Sequence, residues 1–263
     1  MIVLTNDNQT TIKKAISLKG IGIHTGKEVT LTFKPASSNN GYTFKRIDLK
    51  NKPVIEANIK YVINTDRRTF LKKDNVTIQT CEHVLAALVG LEIDNVKIEI
   101  DASEPPIMDG SSKYFIEALE SVGIKQLSEK RKEFVVRDII SYKDPKSGSE
   151  ITLIPSSEYQ ITTMVDFGTK VLGTQNATMN SIKNFKKDIS DARTFSFLHE
   201  IEMLLNKGLI KGGDLNNAIV YVDKSLSENT MKKLKKAFNK EVLKVTPNGI
   251  LDNLTLHYPN EAA

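Results

Sequence analysis

The stretch that decides the fold is Glu28-Val29-Thr30-Leu31-Thr32-Phe33-Lys34-Pro35. Its apolar and polar residues alternate, the period of a strand with one buried face, and proline closes it because proline cannot donate to a ladder. Glu150-Ile151-Thr152-Leu153-Ile154-Pro155 echoes it later in the chain. Asp66-Arg67-Arg68-Thr69-Phe70 then returns as Asp191-Ala192-Arg193-Thr194-Phe195. Asp74-Asn75-Val76-Thr77-Ile78-Gln79-Thr80 returns as Asp252-Asn253-Leu254-Thr255-Leu256-His257-Tyr258. Three echoes in one order imply a duplicated unit. The expected fold is α+β: two similar two-layer α/β sandwiches, residues 1–130 and 131–263.

Working outward, the first unit reads as a strand over 76–79 feeding a helix over 81–89, capped by Thr80 and stopped at Gly90. A strand over 96–100 and a helix over 112–122 complete it. The boundary is expected in the polar stretch 127–133, just before a strand over 134–140. Phe70 and Asp74 are 4 positions apart, whereas Phe195 and Asp252 are 57 apart, so the second unit carries 53 extra residues, about 196–251. This insertion has its own helix, with Leu198, Ile201, Leu204 and Leu205 on one face and Gly208 as a stop. A strand over 218–222 and a lysine-rich helix near 228–240 follow. Long insertions at a matched place in a repeat are more often functional than decorative. Pro259-Asn260-Glu261-Ala262-Ala263 reads as a helix start with proline in its first turn. A helix of one turn is not stable alone. Comparison with the first unit leads us to expect that roughly 40 to 50 residues of the second are missing.

The chain has 263 residues, 40% hydrophobic and 26% charged, which excludes fibrous and disordered classes and is enough to bury a sizeable core. The polar N-terminus lacks a signal-peptide layout, and the longest apolar stretch, 84–91, is far too short to span a bilayer. One cysteine cannot form an internal disulfide, which fits a reducing compartment; a cytoplasmic protein is expected. The net charge of +5 gathers in Lys130-Arg131-Lys132 and in Lys232, Lys233, Lys235 and Lys236. With no aromatic-rich basic strand beside them, these runs read as solvated faces, and no nucleic-acid partner is expected.

The candidate chemistry sits in Glu82-His83, at the start of a helix directly after a strand. A histidine and a carboxylate there suit a metal ligand and a general base. They equally suit an ordinary helix, since a glutamate in the first turn favours the dipole. Two adjacent residues form no metal-spacing motif, so the pair alone leaves both readings open.

The wider set of strings narrows the choice. Gly20-Ile21-Gly22-Ile23-His24-Thr25-Gly26, Thr80-Cys81-Glu82-His83, Ile93-Asp94-Asn95, Glu104-Pro105-Pro106-Ile107-Met108-Asp109-Gly110-Ser111 and Ala192-Arg193-Thr194-Phe195 occur in this order. Together they resemble the UDP-3-O-acyl-N-acetylglucosamine deacetylases, zinc hydrolases of bacterial lipid A synthesis, from about residue 11 to the last. The final strings also resemble, more weakly, the form fused to a hydroxyacyl-carrier dehydratase. The resemblance implies two similar α/β layers with the site between them. It implies one zinc ion with His83 as a ligand, Glu82 as base, Thr194 as oxyanion donor, and Asp109 as a buried supporting acid. Phe167 would contact the uracil. Phe195, Leu198, Ile201 and Gly213 join the substrate-binding positions, and the insertion would form an apolar passage for the acyl chain of the UDP-sugar. The family's other two zinc ligands follow a string like Asn260-Glu261-Ala262-Ala263, and its general-acid histidine lies further on. The resemblance therefore implies that this chain alone holds no catalytic zinc and is inactive. A protein of this fold that binds nucleotide-sugar without turnover is the competing expectation. His24 is expected near the site, His199 in the insertion and His257 in a strand.

Other strings carry less. Gly20-x-Gly22-x-x-x-Gly26 lacks the dinucleotide spacing and reads as a turn, as does Lys211-Gly212-Gly213-Asp214. Cys81 and His83 diverge on a helix, which argues against a thiol–imidazole pair.

Overall fold

The computed structural model describes the chain except residues 207–210 and 253–254 and, for residues 205 and 206, the backbone alone. The Gly208 stop, the Leu205 side chain and the Asn253-Leu254 part of the third echo lie outside the described residues. The fold is mixed α/β, with sheets and few helices.

Strand β1 (Ile2–Ile12) leads into β2 (Ile16–Ile21), β3 (Glu28–Pro35), β4 (Tyr42–Arg46) and β5 (Val54–Glu56). The short strands β6 (Val62–Asn64), β7 (Phe70–Lys73) and β8 (Val76–Gln79) form a three-stranded sheet, and β8 runs into α1 (Glu82–Gly90). Next come β9 (Val96–Ile100), α2 (Lys113–Val122) and β10 (Ile124–Phe134). The main sheet has the order β2-β3-β9-β4-β5, antiparallel except between β4 and β9. Strand β3 lies inside it, pairing Phe33 with Ile98 of β9 and with Ile16 of β2.

The alternation of β3 is realised in its burial. Leu31 and Phe33 have no exposed surface and Val29 is buried, while Thr30 and Thr32 face outward. Val96, Ile98 and Ile100 do the same on β9. Helices α1 and α2 cover this face with Val84, Ala87, Leu88, Phe115, Ile116 and Leu119. Phe115 meets Phe33 edge-on at 6.4 Å. Fully burying one such side chain contributes about 1.5–3 kcal/mol, which makes this layer the main source of stability. The opposite face is polar, with Lys34 paired to Glu99 at 2.6 Å.

From residue 140 the architecture changes. Strands β11 (Ile140–Lys143) and β12 (Glu150–Leu153) form one hairpin, β13 (Ile161–Asp166) and β14 (Thr174–Met179) another. A short helix, α3 (Phe185–Asp188), sends Phe185 into the main core. Strand β15 (Phe195–Phe197) pairs in parallel with β16 (Ile219–Tyr221), and between them lies α4 (Leu198–Asn206). Helix α5 (Glu228–Ala237), capped by the Ser227 hydroxyl accepting from Thr230 N–H, follows. Leu198, Ile201, Leu215, Val220, Leu234, Leu243 and Leu251 make a small second core beneath these helices.

Four expectations are corrected. The polar stretch 127–133 belongs to β10, which pairs antiparallel with β1, and no strand covers 135–139. Most of residues 127–133 are exposed in this ribbon, with Arg131 held by Glu92 and Asp94, so charged residues fit it as well as they fit a linker. Thr80 does not cap α1: the N-cap is Cys81, without a side-chain bond, because the Thr80 hydroxyl is engaged by Glu104. Thr255, Leu256 and His257 form no strand, and His257 sits in a bend. Residues 259–262 form turns rather than a helix, held by Glu261 N–H to Tyr258 O (3.2 Å) and Ala263 N–H to Asn260 O (3.0 Å). A single turn leaves nothing to offset the cost of helix nucleation.

Candidate functional site

Glu82 and His83 open α1 just after the N-cap Cys81, which follows the left-handed residue Thr80, with φ of 55°. Glu82 Oε2 accepts from the Thr69 N–H at 3.1 Å, which ties the carboxylate to the arginine-bearing loop before β7. Burial pushes the pKa of His83 down, against the charges of Glu82 and Asp109, which act to raise it. Its imidazole is therefore held neutral, the form that ligates metals. Asp109 is half-buried and spends Oδ1 on the Ser111 N–H (3.1 Å) and hydroxyl (2.7 Å) just ahead of α2. Its charge is felt at His83, and its described bonds go to the α2 entry.

Thr194 reaches the same place from the other half. Its N–H donates to Gly110 O at 2.7 Å and its carbonyl accepts from Ile219 N–H at 2.9 Å. Gly110 has φ of 88°, and a Cβ there would overlap Asn217 O, so only glycine lets the 108–110 turn meet Thr194. The neighbouring Arg193 is pinned by Glu261, a carboxylate with no exposed surface. Glu261 Oε1 accepts from Arg193 Nε at 2.7 Å and from Arg193 N–H at 3.0 Å, and Oε2 accepts from His257 N–H at 2.8 Å.

These groups share a cavity of about 320 Å³ lined by His24, Thr80, Glu82, His83, Thr194, Phe195, Ile201, Leu204, Gly213, Val220 and Phe238, among others. Glu82, His83, Thr194 and Phe195 also line a second cavity of about 550 Å³ toward β13, β14 and the terminal turn. The polar pair thus stands on a partition between two hollows. On the first side the wall beyond it is apolar, built from α4, β16 and Phe238. The loop at His24 and the loop at Gly213 meet over this cavity, where Gly212 N–H donates to Ile23 O at 3.2 Å. Burial lowers the His24 pKa, opposed by Glu104.

Two residues read as substrate-facing stand apart. Leu198 has no exposed surface and packs in the small second core without lining either cavity. Phe167 lies outside both linings but packs edge-on against Phe195 at 5.4 Å and against Phe197 at 6.3 Å, so it extends the rim. His199 pairs with Asp223 and stacks on Phe197. Glu104, Glu200 and Glu261 organise the site without having been singled out. Glu200 accepts from Ser196 and Phe197 at the start of α4 and bridges to Arg67 at 2.6 Å. Glu104-Pro105-Pro106, a glutamate set against two prolines, was the one local signal available.

Comparison with known proteins bears directly on this arrangement. The sequence profile of the family described as LpxC: UDP-3-O-acyl N-acetylglycosamine deacetylase matches residues 9–244. The chain belongs to this LpxC family. It is similar to the bifunctional enzyme LpxC/FabZ of Chlorobaculum tepidum, 43% identical over 97% of this chain and 56% of that protein. The Bacteroides thetaiotaomicron bifunctional enzyme LpxC/FabZ is 38% identical over 97% of this chain and 55% of its own length. The UDP-3-O-acyl-N-acetylglucosamine deacetylase of Myxococcus xanthus is 38% identical over 83% of this chain and 69% of that protein. The chain thus spans a little over half the length of the bifunctional relatives. Within the LpxC match fall Glu82, His83 and Thr194, the groups at the partition, and Asp109 beside them.

Among the described residues, no three His, Cys, Asp or Glu side chains are grouped so as to hold a metal ion. Catalytic zinc takes three protein ligands. The described residues, with His83 as one donor, do not complete such a set.

Proposed function

We propose that this protein removes the acetyl group from UDP-3-O-acyl-N-acetylglucosamine in lipid A biosynthesis, releasing acetate. The observation that carries the reading is the cavity where Glu82, His83 and Thr194 stand at one end of an apolar wall. Amide hydrolysis needs a base for the attacking water and a donor for the oxyanion. Glu82 is the base, oriented by Thr69 N–H. The Thr194 hydroxyl is the oxyanion donor, its backbone fixed from Gly110 and Ile219. A fatty acyl chain would lie along Ile201, Leu204, Val220 and Phe238, with Leu198 behind that wall. Phe167 and Phe195 would flank the uracil, and Gly213 would leave room at the mouth. The zinc ion that the family implies would take His83 as one of its ligands and would supply a Lewis acid for the attacking water.

Two units related by duplication, with the insertion at 196–251, remain our reading of the chain's origin. Thr69 O and Thr194 O each accept from an N–H further along the chain, Thr80 and Ile219, which supports it. A fused dehydratase is proposed from the bifunctional relatives. No helix among the described residues is long and apolar enough to cross a membrane. We place the reaction in the cytoplasm, on the unpaired Cys81.

Incubation with the acylated UDP-sugar and zinc should release acetate and free amine in equal amounts. Glu82→Gln should lower kcat by about 10²- to 10⁴-fold with binding little changed. A kcat within a few-fold of the parent would remove Glu82 as base. The competing reading is binding of the nucleotide-sugar without turnover. Saturable binding with no acetate released in the presence of zinc would establish that one instead.

A further inference from the structure

Thr80 has φ of 55°, a conformation in which a β-branched residue is an outlier. It is the hinge between β8 and α1: one residue later comes the N-cap Cys81, then Glu82 and His83. The direction in which the first turn leaves the sheet depends on this residue. Helix α1 has no side-chain cap to hold that turn. Thr80 is held instead by tertiary bonds. Its N–H donates to Thr69 O at 2.9 Å, and its hydroxyl donates to Glu104 Oε1 at 2.8 Å.

Glu104 has no exposed surface and lines neither cavity. Its Oε2 accepts from the Thr25 N–H at 2.9 Å and the Thr25 hydroxyl at 2.8 Å, and the His24 N–H lies 3.2 Å from each oxygen. A buried carboxylate persists only when its acceptor positions are filled, and here the fillers come from two separate walls of the cavity. One is the turn before Glu82 and His83; the other is the loop carrying His24.

We propose that Glu104 is a positioning residue: through Thr80 it holds the left-handed turn that aims Glu82 and His83 at the cavity, and through His24-Thr25 it fixes the facing wall to the same carboxylate. The catalytic part rests on the reading of Glu82 as base; the structural part does not. Thr80→Val keeps the β-branch and the shape and removes only the hydroxyl.

Cys81, buried beside this turn with its thiol pushed up to about 12 by burial, reports on it without any turnover. In Thr80→Val, labelling of Cys81 by iodoacetamide should quicken by at least about tenfold through local opening, with the melting temperature nearly unchanged. Acetate release should lose about tenfold or more in kcat with KM within about twofold, and Thr80→Ser should restore both readouts. Glu104→Gln replaces one acceptor oxygen with a donor and should loosen the His24-Thr25 loop as well as the turn, so its losses should equal or exceed those of Thr80→Val. Adding Thr80→Val to it should cost less than Thr80→Val costs alone, because the two changes meet at one bond. Where Glu104→Gln does not fold, Thr80→Val decides alone. Parental labelling in Thr80→Val, or labelling that rises only as far as melting falls, would overturn the proposal. So would a loss confined to KM. If the parent protein releases no acetate, the deacetylase reading fails while the labelling result still decides the positioning role.

Discussion

Strands β3 and β12 begin from nearly the same text, Glu-Val-Thr-Leu and Glu-Ile-Thr-Leu, and end in opposite surroundings. Leu31 and Phe33 of β3 have no exposed surface, whereas Ile151 and Leu153 of β12 are 66% and 43% exposed. The difference lies in the neighbours. Strand β3 has a ladder on both edges and two helices on its apolar face; β12 has β11 alone among the described residues. Alternation prescribes which face seeks cover, and the cover comes from elsewhere in the chain. An isolated two-stranded hairpin is marginal by itself, so the first half of the molecule carries the stability while the second half supplies Thr194 and the apolar wall.

The largest effect should come from cutting the covered face. Phe33→Ala should cost about 3–5 kcal/mol in urea unfolding, from lost burial plus the cavity opposite Phe115. Ile151→Ala, at the matching strand, should stay within about 0.5 kcal/mol. Equal costs would break the comparison, because Ile151 would then be covered in solution.

An intermediate effect is expected where the two halves touch. Gly90 ends α1, and a Cβ there would overlap the ring of Phe185 from α3. On propensity alone Gly90→Ala should stabilise a helix by up to about 1 kcal/mol. The ring contact reverses the sign, and we expect a net loss of about 1–3 kcal/mol as Phe185 is displaced. Gly90→Ala combined with Phe185→Leu should recover part of that loss. A stabilised single variant would mean that the halves are not locked together at this point.

Much of the covered half was legible because its signals are local. The alternation of β3, the strand over 76–79, the strand over 96–100 and both following helices stand within a residue or so of where their patterns put them. Gly90 was read as a helix stop; its closeness to Phe185, 95 positions away, is invisible locally. The same holds for Thr80, whose hydroxyl is a good cap until Glu104 claims it. The stretch 127–133 of β10 was read as the boundary between units because polar residues suit a linker and an exposed ribbon alike. At the candidate site, Glu82-His83 was ambiguous from spacing and gained meaning through the resemblance of several strings. Glu104 and Glu261 act through partners distant in the chain, Thr80 and Arg193, and no spacing rule finds such pairs. Leu198 packs in the small second core and lines neither cavity; a helical stripe reports an apolar face without saying which side of it a hollow occupies.

The smallest effect tests the comparison at its turns. Asp48 follows β4 and takes both of its bonds from Arg46, Nε to Oδ1 at 2.9 Å and Nη2 to Oδ2 at 2.7 Å. Those bonds hold its carboxyl below the ordinary range. Asp144, at the turn after β11, is also held low, by the hydroxyl and N–H of Ser147, yet it is fully exposed. A carboxyl lowered in the folded state adds stability above its unfolded value, near 3.9, and loses it as pH falls through the lower folded value. Arg46 is buried, 8% exposed, and its Nη1 also donates to Thr77 O at 2.9 Å, so this turn is built into the covered half. Asp48→Asn should therefore cost about 1 kcal/mol at neutral pH, the upper end for partly exposed pairs. The difference from the parent protein should shrink below pH 4 as Asp48 itself is protonated. Asp144→Asn should leave the global acid profile unmoved, because the β11–β12 hairpin can open without disturbing the main core. Urea midpoints at pH 7 and pH 3 for both variants separate the cases, and an Asp144 effect as large as that of Asp48 would show that the second half unfolds together with the first.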